Sequence, residues 1–387
     1  MYMRAIINGK IYTMAGQILD GGTILVEAGK IKAVGADLAV PAEAEVIDAQ
    51  GKYVLPGIID AHTHIGIFEQ GIGFEGADGN ERTNPATPHL RALDAINPQD
   101  KAFAGARAGG VTSLAVAPGS ANVIGGQVLA MKTWGQVVDD MVIQEPLGLK
   151  IAFGENPKRV YSEQKKSPST RMAVAAILRE NLVAARNYMD KLEKAKDDPE
   201  KKPDRDLKLE VLVKVLKKEI PLRAHAHRAD DITTAIRIAE EFDVNICIEH
   251  CTEGHLIADF LAEKGVPAII GPTLGSRPKV ELFNTTFKTP GILHKAGVKV
   301  ALTSDHPVFP VQHLPVQAAL AHKAGLPEEE ALKAITINAA EIMGIAHRVG
   351  SIEAGKDADI VIFNGHPFDW KTQVEKTMID GEIVYER

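Results

Sequence analysis

The chain has 387 residues, with 44 Lys+Arg against 51 Asp+Glu and a formal net charge of −7 at pH 7. Hydrophobic residues make up 45% and charged residues 25%, ordinary globular values that leave material for a large core and exclude a disordered or collagen-like chain. The acidic balance excludes a protein whose main task is gripping nucleic acid, and no apolar run approaches the roughly 18 residues needed to span a bilayer.

In chain order, the first elements read as short strands. Residues 4–8, 10–14, 23–27, 30–34 and 45–48 are β-branched runs bounded by Gly, Asp or Pro. The start lacks the apolar region of a secretory leader, so a soluble, cytoplasmic protein is expected. From about residue 56 the texture changes. Apolar runs at 57–59, 111–116, 149–153, 220–224, 244–248, 267–270 and 298–302 alternate with helix-like segments at 100–108, 171–196, 230–242, 255–263 and 316–324. Such alternation signals a parallel sheet buried on both faces. An eighth strand near 128–131 would close it into a barrel. The charged stretch 191–219, with prolines at 199 and 203, reads as a solvated helix end and surface loop. The last forty residues return to short strands, 359–363, 376–380 and 382–385. Neither end can form a sheet core alone, because a lone hairpin is marginal in water. The expected fold is therefore α/β: a (β/α)8 TIM-like barrel over 56–345 and a small β-sandwich domain built from both termini, 1–55 plus 346–387.

The chemistry collects at predicted strand ends. Asp60-Ala-His62-Thr-His64 closes an apolar strand, and side chains at i and i+2 of a strand project to one side, so two imidazoles converge. That suits a divalent metal such as zinc. Leu222-Arg-Ala-His225-Ala-His227 repeats the pattern, Ile246-Cys-Ile-Glu-His250 ends a third strand, and Val300-Ala-Leu-Thr-Ser-Asp305 ends a fourth with an acid. In a barrel these carboxyl ends form the active face. The two cysteines, Cys247 and Cys251, flank His250 and read as small buried residues, because two thiols make neither a disulfide framework nor a four-cysteine zinc site.

With Pro56-Gly57-Ile-Ile-Asp-Ala-His62-Thr-His64, Gly-Gly-Val-Thr at 109–112, Ser304-Asp305-His306, Thr336-Ile-Asn-Ala-Ala340 and Gly350-Ser-Ile-Glu-Ala-Gly355-Lys-Asp-Ala-Asp359-Ile-Val, the chain resembles the amidohydrolase superfamily over nearly its whole length. The likeness is greatest to the imidazolonepropionase-like and prolidase-like group. The resemblance implies that His62 and His64 hold the more buried of one or two divalent metals, zinc foremost, and that His225 and His250 hold a second. It implies that Asp305 binds the first metal and acts as general base, while His227 touches a small-molecule substrate. A bridge between metals falls to Lys150, which would be carboxylated, or to Glu155. A lysine in a barrel strand with no role would carry a large desolvation cost, which favours Lys150.

Substrate contacts are expected from the rim. Asn122 and Gln127 lie in and beside a glycine-rich loop that lets backbone approach a ligand. Arg228 and Arg277 offer bidentate geometry to a carboxylate, or a salt bridge within the protein. The leading expectation is hydrolysis of an amide-type C–N bond. The rival is a mononuclear deaminase, disfavoured because no glutamate follows His225 at the spacing such enzymes use. A scaffold that has lost its metal would show eroded ligands, and these are intact. Oligomeric state is open, with a homo-oligomer compatible.

Overall fold

The computed structural model of the chain describes residues 3–196, 198, 200 and 202–387. Five strands open it: β1 (Met3–Tyr12), β2 (Ile18–Glu27), β3 (Lys30–Gly35), β4 (Glu45–Asp48) and β5 (Tyr53–Pro56). The barrel strands follow as β6 (Ile58–Thr63), β7 (Val111–Val116), β8 (Ile124–Lys132), β9 (Val142–Ala152), β10 (Leu222–Ala226), β11 (Ile246–His250), β12 (Ala268–Ile270) and β13 (Val300–Leu302). Strands β14 (Ile360–Phe363), β15 (Val374–Ile379) and β16 (Glu382–Glu386) complete the chain. Both termini meet in one hydrogen-bonded sheet ordered β16-β15-β14-β5-β1-β2-β3, with β4 beside β1. Two strands expected at 4–8 and 10–14 are a single strand. Asn8 sits in the left-handed region at φ 56°, and the pairing of β1 with β2 shifts register between Ile6 and Gly9, so a bulge absorbs the turn signal.

The second sheet runs β6 to β13 in chain order. Where all strands were expected to be parallel, β8 is antiparallel to both β7 and β9. The reason is length. Only residues 117–123 join β7 to β8, and residues 133–141 join β8 to β9. A parallel crossover needs a dozen residues or more. Reversal brings the start of β8 to the same rim as the carboxyl ends of its neighbours, with Gly126 paired to Lys150. The barrel is nearly closed. Ala334 and Ile335 sit across the seam, accepting the Leu302 N–H at 2.9 Å and the Ile59 N–H at 2.8 Å. The Asp60 carboxylate adds bonds from Thr303 Oγ1 at 2.8 Å and the Ser304 N–H at 3.0 Å. The backbone groups left by an open seam are thus satisfied.

Helices α1 (Lys101–Ala108), α2 (Val138–Met141), α3 (Glu155–Glu163), α4 (Arg171–Lys194), α5 (Leu207–Leu216), α6 (Ala229–Phe242), α7 (Ala258–Lys264), α8 (Thr289–Lys295), α9 (Leu314–Lys323), α10 (Glu328–Lys333) and α11 (Ile337–Ile342) accompany the barrel. The charged stretch 191–219 differs from expectation. Asp206 caps α5 by accepting the Lys208 and Leu209 N–H groups, and Val211, Leu212, Val213 and Val215 are buried, so a packed helix stands where a loop was expected. Pro199 lies outside the described residues. No helix among the described residues is long and apolar enough to cross a membrane.

The barrel interior is lined by small side chains, Ala61, Ala115, Ala117, Ala130 and Ala301, beside Ile59, Val128 and Ile269. That leaves room for longer charged ones. At the junction with the terminal sheet, Lys132 on β8 is 3% exposed. Its Nζ lies 2.6 Å from Asp359, 3.1 Å from Asp357 and 3.3 Å from Asp380. Arg348 and Lys30 also contact Asp357. The two aspartates of the 350–361 motif therefore fasten the terminal sheet to the barrel.

Candidate metal centre

His62, at the penultimate position of β6, and His64, just past its end, turn their Nε2 atoms to Asp305 Oδ1, at 3.3 and 3.1 Å. Asp305 follows β13 and holds φ 52°, a left-handed conformation that costs a non-glycine residue about 1–3 kcal/mol. The opposite ring nitrogens face acceptors. His64 Nδ1 lies 2.6 Å from the Ala117 carbonyl, and His62 Nδ1 lies 3.1 Å from Glu249 Oε1. With its proton on Nδ1, His64 turns a lone pair to the Asp305 carboxylate, while His62 Nε2 stands between Asp305 and Lys150 Nζ, 3.3 Å away. Burial pushes His62 down, yet Glu249 and Asp305 outweigh it and hold its pKa above the ordinary value. The position calls for positive charge, and a cation answers that call.

The second cluster gathers His225, His227 and His250, whose donor atoms lie within 4.8 Å of one another. His225 ends the inward run of β10 and His227 follows that strand directly; their rings stand edge-on with centroids 4.7 Å apart. His250 ends β11 at φ 69° and packs against both. Its Nδ1 is held at 2.8 Å from the Gly271 carbonyl, and His227 Nδ1 lies 2.7 Å from Thr252 Oγ1. Burial, then the neighbouring charges, holds His225 and His227 well below the usual histidine range and His250 at about 4. All three are neutral at pH 7, the form in which imidazole binds metal.

Between the clusters and beneath them lies a buried charge group. Lys150 on β9 pairs in register with Arg223 on β10, so two cations stand side by side. Glu249 answers both, with Arg223 Nε 2.8 Å from Oε1 and Lys150 Nζ in contact with Oε2. Lys150 Nζ also lies 3.3 Å from His62 Nε2. Burial would raise Glu249, but His62, Lys150 and Arg223 hold it well below the carboxylate range.

The remaining sequence candidates are distributed differently. Glu155 starts α3, half-exposed, 3.8 Å from Arg159, and joins neither cluster. Asn122 is buried, donating to Thr87 Oγ1 at 2.8 Å and accepting from Tyr161 at 2.6 Å. Its amide ties rim segments together. Gln127 faces outward from the barrel and donates to the His89 carbonyl at 3.4 Å. Arg228 is held by both Asp230 oxygens at 2.9 Å, and Arg277 donates to the Thr285 carbonyl. Arg228 and Glu155 line a cleft of about 340 Å³ beside Glu281, itself 2% exposed and 3.7–3.8 Å from His227 and His225. Sequence reading passed over Arg223, Glu249 and Glu281. The first two carried a signal: charged residues inside apolar strands, open to the desolvation argument applied to Lys150. Glu281, in a single 3-10 turn at Val280–Leu282, carried none.

Eight-stranded barrel, terminal sheet and two ligand clusters at one rim define a metal-dependent hydrolase. The amidohydrolase family matches residues 53–384, and the chain belongs to that family. It is 49% identical to an amidohydrolase from Thermotoga maritima over 99% of this chain and 100% of that one, with a TM-score of 0.96. It is 30% identical to the amidohydrolase tasK of Hapsidospora irregularis over 94% of this chain, although it spans only 40% of that protein's length. Imidazolonepropionase of Erwinia tasmaniensis is 26% identical over 89% of this chain and 87% of its own. The chain is accordingly a hydrolase acting on C–N bonds of small molecules.

Proposed function

We propose that the chain cleaves an amide-type C–N bond, in a dipeptide, an acylated amine or a cyclic amide, with Asp305 as general base. The observation that carries this reading is the Asp305 carboxylate facing His62 and His64 beside the second histidine cluster. A divalent ion, zinc by the donor set, would polarise the scissile carbonyl and lower the pKa of a water from 15.7 to about 7. Asp305 supplies the proton traffic. Burial alone would raise its pKa, but His250, His62 and His64 outweigh burial and hold it well below the usual range. It is therefore ionised at neutral pH, able to take a proton from the attacking water and deliver it to the leaving nitrogen.

His62, His64 and Asp305 are the ligands best supported for the first metal, and His225 and His250 for the second. Lys150 is better supported as the bridge than Glu155, because its Nζ lies beside His62 whereas Glu155 faces Arg159. Carboxylation of Nζ would convert a buried cation into a bridging anion, and Glu249, now in contact with Nζ, would then rely on Arg223 alone. The similarity to imidazolonepropionase supports a cyclic or acyl amide. Asp305→Asn tests the assignment. It should lower kcat by about 10²–10⁴-fold, the usual contribution of a general base, on a panel of dipeptides, N-acyl amino acids and cyclic amides. Turnover at the wild-type rate would overturn the role given to Asp305.

A further inference from the structure

Three imidazoles, not two, converge at the second cluster, and one buried carboxylate stands beside them. We propose that His227 and Glu281 belong to the second metal position, which is a nitrogen-rich site of His225, His227 and His250 bounded by Glu281 and suited to zinc or cobalt over magnesium or manganese. The inference rests on the metal-hydrolase reading and deepens it by moving His227 from the substrate to the metal.

Four features support it. His227 is 5% exposed and its ring lies 4.7 Å from those of both His225 and His250, so it is part of the cluster and not of an outer wall. Its Nδ1 is occupied by Thr252 Oγ1 at 2.7 Å, which leaves Nε2 turned inward. A ligand histidine is typically oriented in this way by a partner on its other nitrogen. His250 and His64 show the same arrangement with the Gly271 and Ala117 carbonyls.

Glu281 supplies the fourth. Its Oε1 lies 3.8 Å from His225 Nε2 and 3.7 Å from His227 Nε2. Tetrahedral zinc with bonds of about 2.0–2.1 Å sets its donor atoms about 3.4 Å apart, close to these separations. The carboxylate is fixed from behind, its Oε2 accepting the Glu155 N–H at 3.0 Å while Lys279 Nζ lies 3.3 Å from Oε1. Apart from a bridge shared through Lys150, the donor sets of the two positions differ: two imidazoles and Asp305 at the first, three imidazoles with Glu281 at the second. Imidazole suits zinc, and cobalt binds nitrogen donors more tightly than manganese does, whereas carboxylate-rich sites suit magnesium and manganese.

The test is metal stoichiometry of purified full-length protein, measured after loading with Zn(II) and separately with Co(II), alongside KM and kcat. Two ions in the wild type and one in His227→Asn, with thermal unfolding still cooperative, is the expected result. So is one ion in the wild type that His227→Asn loses. Thr252→Val keeps His227 and should weaken the second ion's affinity by about 10–100-fold, which carries the test should His227→Asn not fold. Unchanged metal content and affinity in His227→Asn, with only KM raised, would overturn the inference and return His227 to the substrate. Wild-type protein that takes up no ion would overturn the metal-hydrolase reading itself, a separate and distinguishable failure.

Discussion

Arg223 Nε lies 2.8 Å from Glu249 Oε1, and the two side chains are 1% and 0% exposed. Glu249 also contacts Lys150 and lies 3.1 Å from His62 Nδ1, so one carboxylate is shared by two cations and borders a candidate ligand histidine. Removing one member of a buried charge group strands the others without water, at about 3–5 kcal/mol. Glu249→Gln should lose stability on that scale in denaturant titrations. Glu193→Gln, which breaks the exposed pair with Lys196, should change it by less than about 1 kcal/mol. Equal effects would mean that the interior group is not held as an ion cluster.

Lys150 and Glu155 can be separated by metal binding. Lys150→Ala should lower metal affinity at least about tenfold, in the range typical of residues that support a metal site. Glu155→Gln, half-exposed beside Arg159, should retain wild-type metal content. Dialysis equilibrium with zinc distinguishes the two, and loss of metal in Glu155→Gln alone would reverse the assignment.

The Lys132 junction predicts a pH signature. Burial pushes Asp357 up, but Lys132, Lys30 and Arg348 outweigh it, so its folded pKa lies below the unfolded value of 3.8. Its stabilisation is complete above 3.8 and is lost as pH falls through the lower folded value. Lys132, raised by the three aspartates against burial, stabilises fully below 10.5 and loses this as pH rises past its folded pKa. Asp380, raised by burial, acts in the opposite sense to Asp357 and offsets part of it. Lys132→Met removes the cation shared by the cluster, with Asp357 keeping Lys30 and Arg348. Its Tm deficit should be large at pH 7–8 and shrink towards pH 4 as Asp380, already raised by burial, takes up its proton. A deficit independent of pH would point to packing as the cause.

Gly57 packs against the side chain of Thr112, and a Cβ at Gly57 would lie 2.0 Å from Thr112 Oγ1. Gly57→Ala should therefore destabilise by about 1–3 kcal/mol, the usual cost of overpacking. Thr112→Ala removes a hydroxyl that makes no hydrogen bond and the methyl 2.5 Å from the new Cβ, leaving its own Cβ at 2.7 Å. The double variant should recover part of the loss, a non-additivity expected of touching residues. Additive losses in chemical denaturation would contradict the contact.

The sequence went furthest where local pattern and chemistry coincide. The two His-x-His pairs, His250 and Asp305 lie at strand ends because apolar β-branched runs stop where polar ligands begin, and the seven apolar runs of the middle segment all became barrel strands. Lys150 stood out because an apolar strand does not carry a lysine without a partner. Arg223 and Glu249 obey the same rule and were equally legible. For Asn122 and Gln127 a glycine-rich rim loop says nothing about which way an amide turns; Thr87, Tyr161 and the His89 carbonyl hold them.

What the sequence by itself determined is the alternation of strand and helix, the pairing of both termini, and the gathering of histidines and an aspartate at one rim. These follow from periodicity and from the cost of burying charge, both local properties of the chain. Only the tertiary structure decided that β8 runs backwards, that Lys132 joins the terminal sheet through three aspartates, and that Glu281 stands 3.7 Å from His227. Each of these depends on contacts between residues remote in the chain, where strand register and loop path, and no neighbouring residue, set the distance.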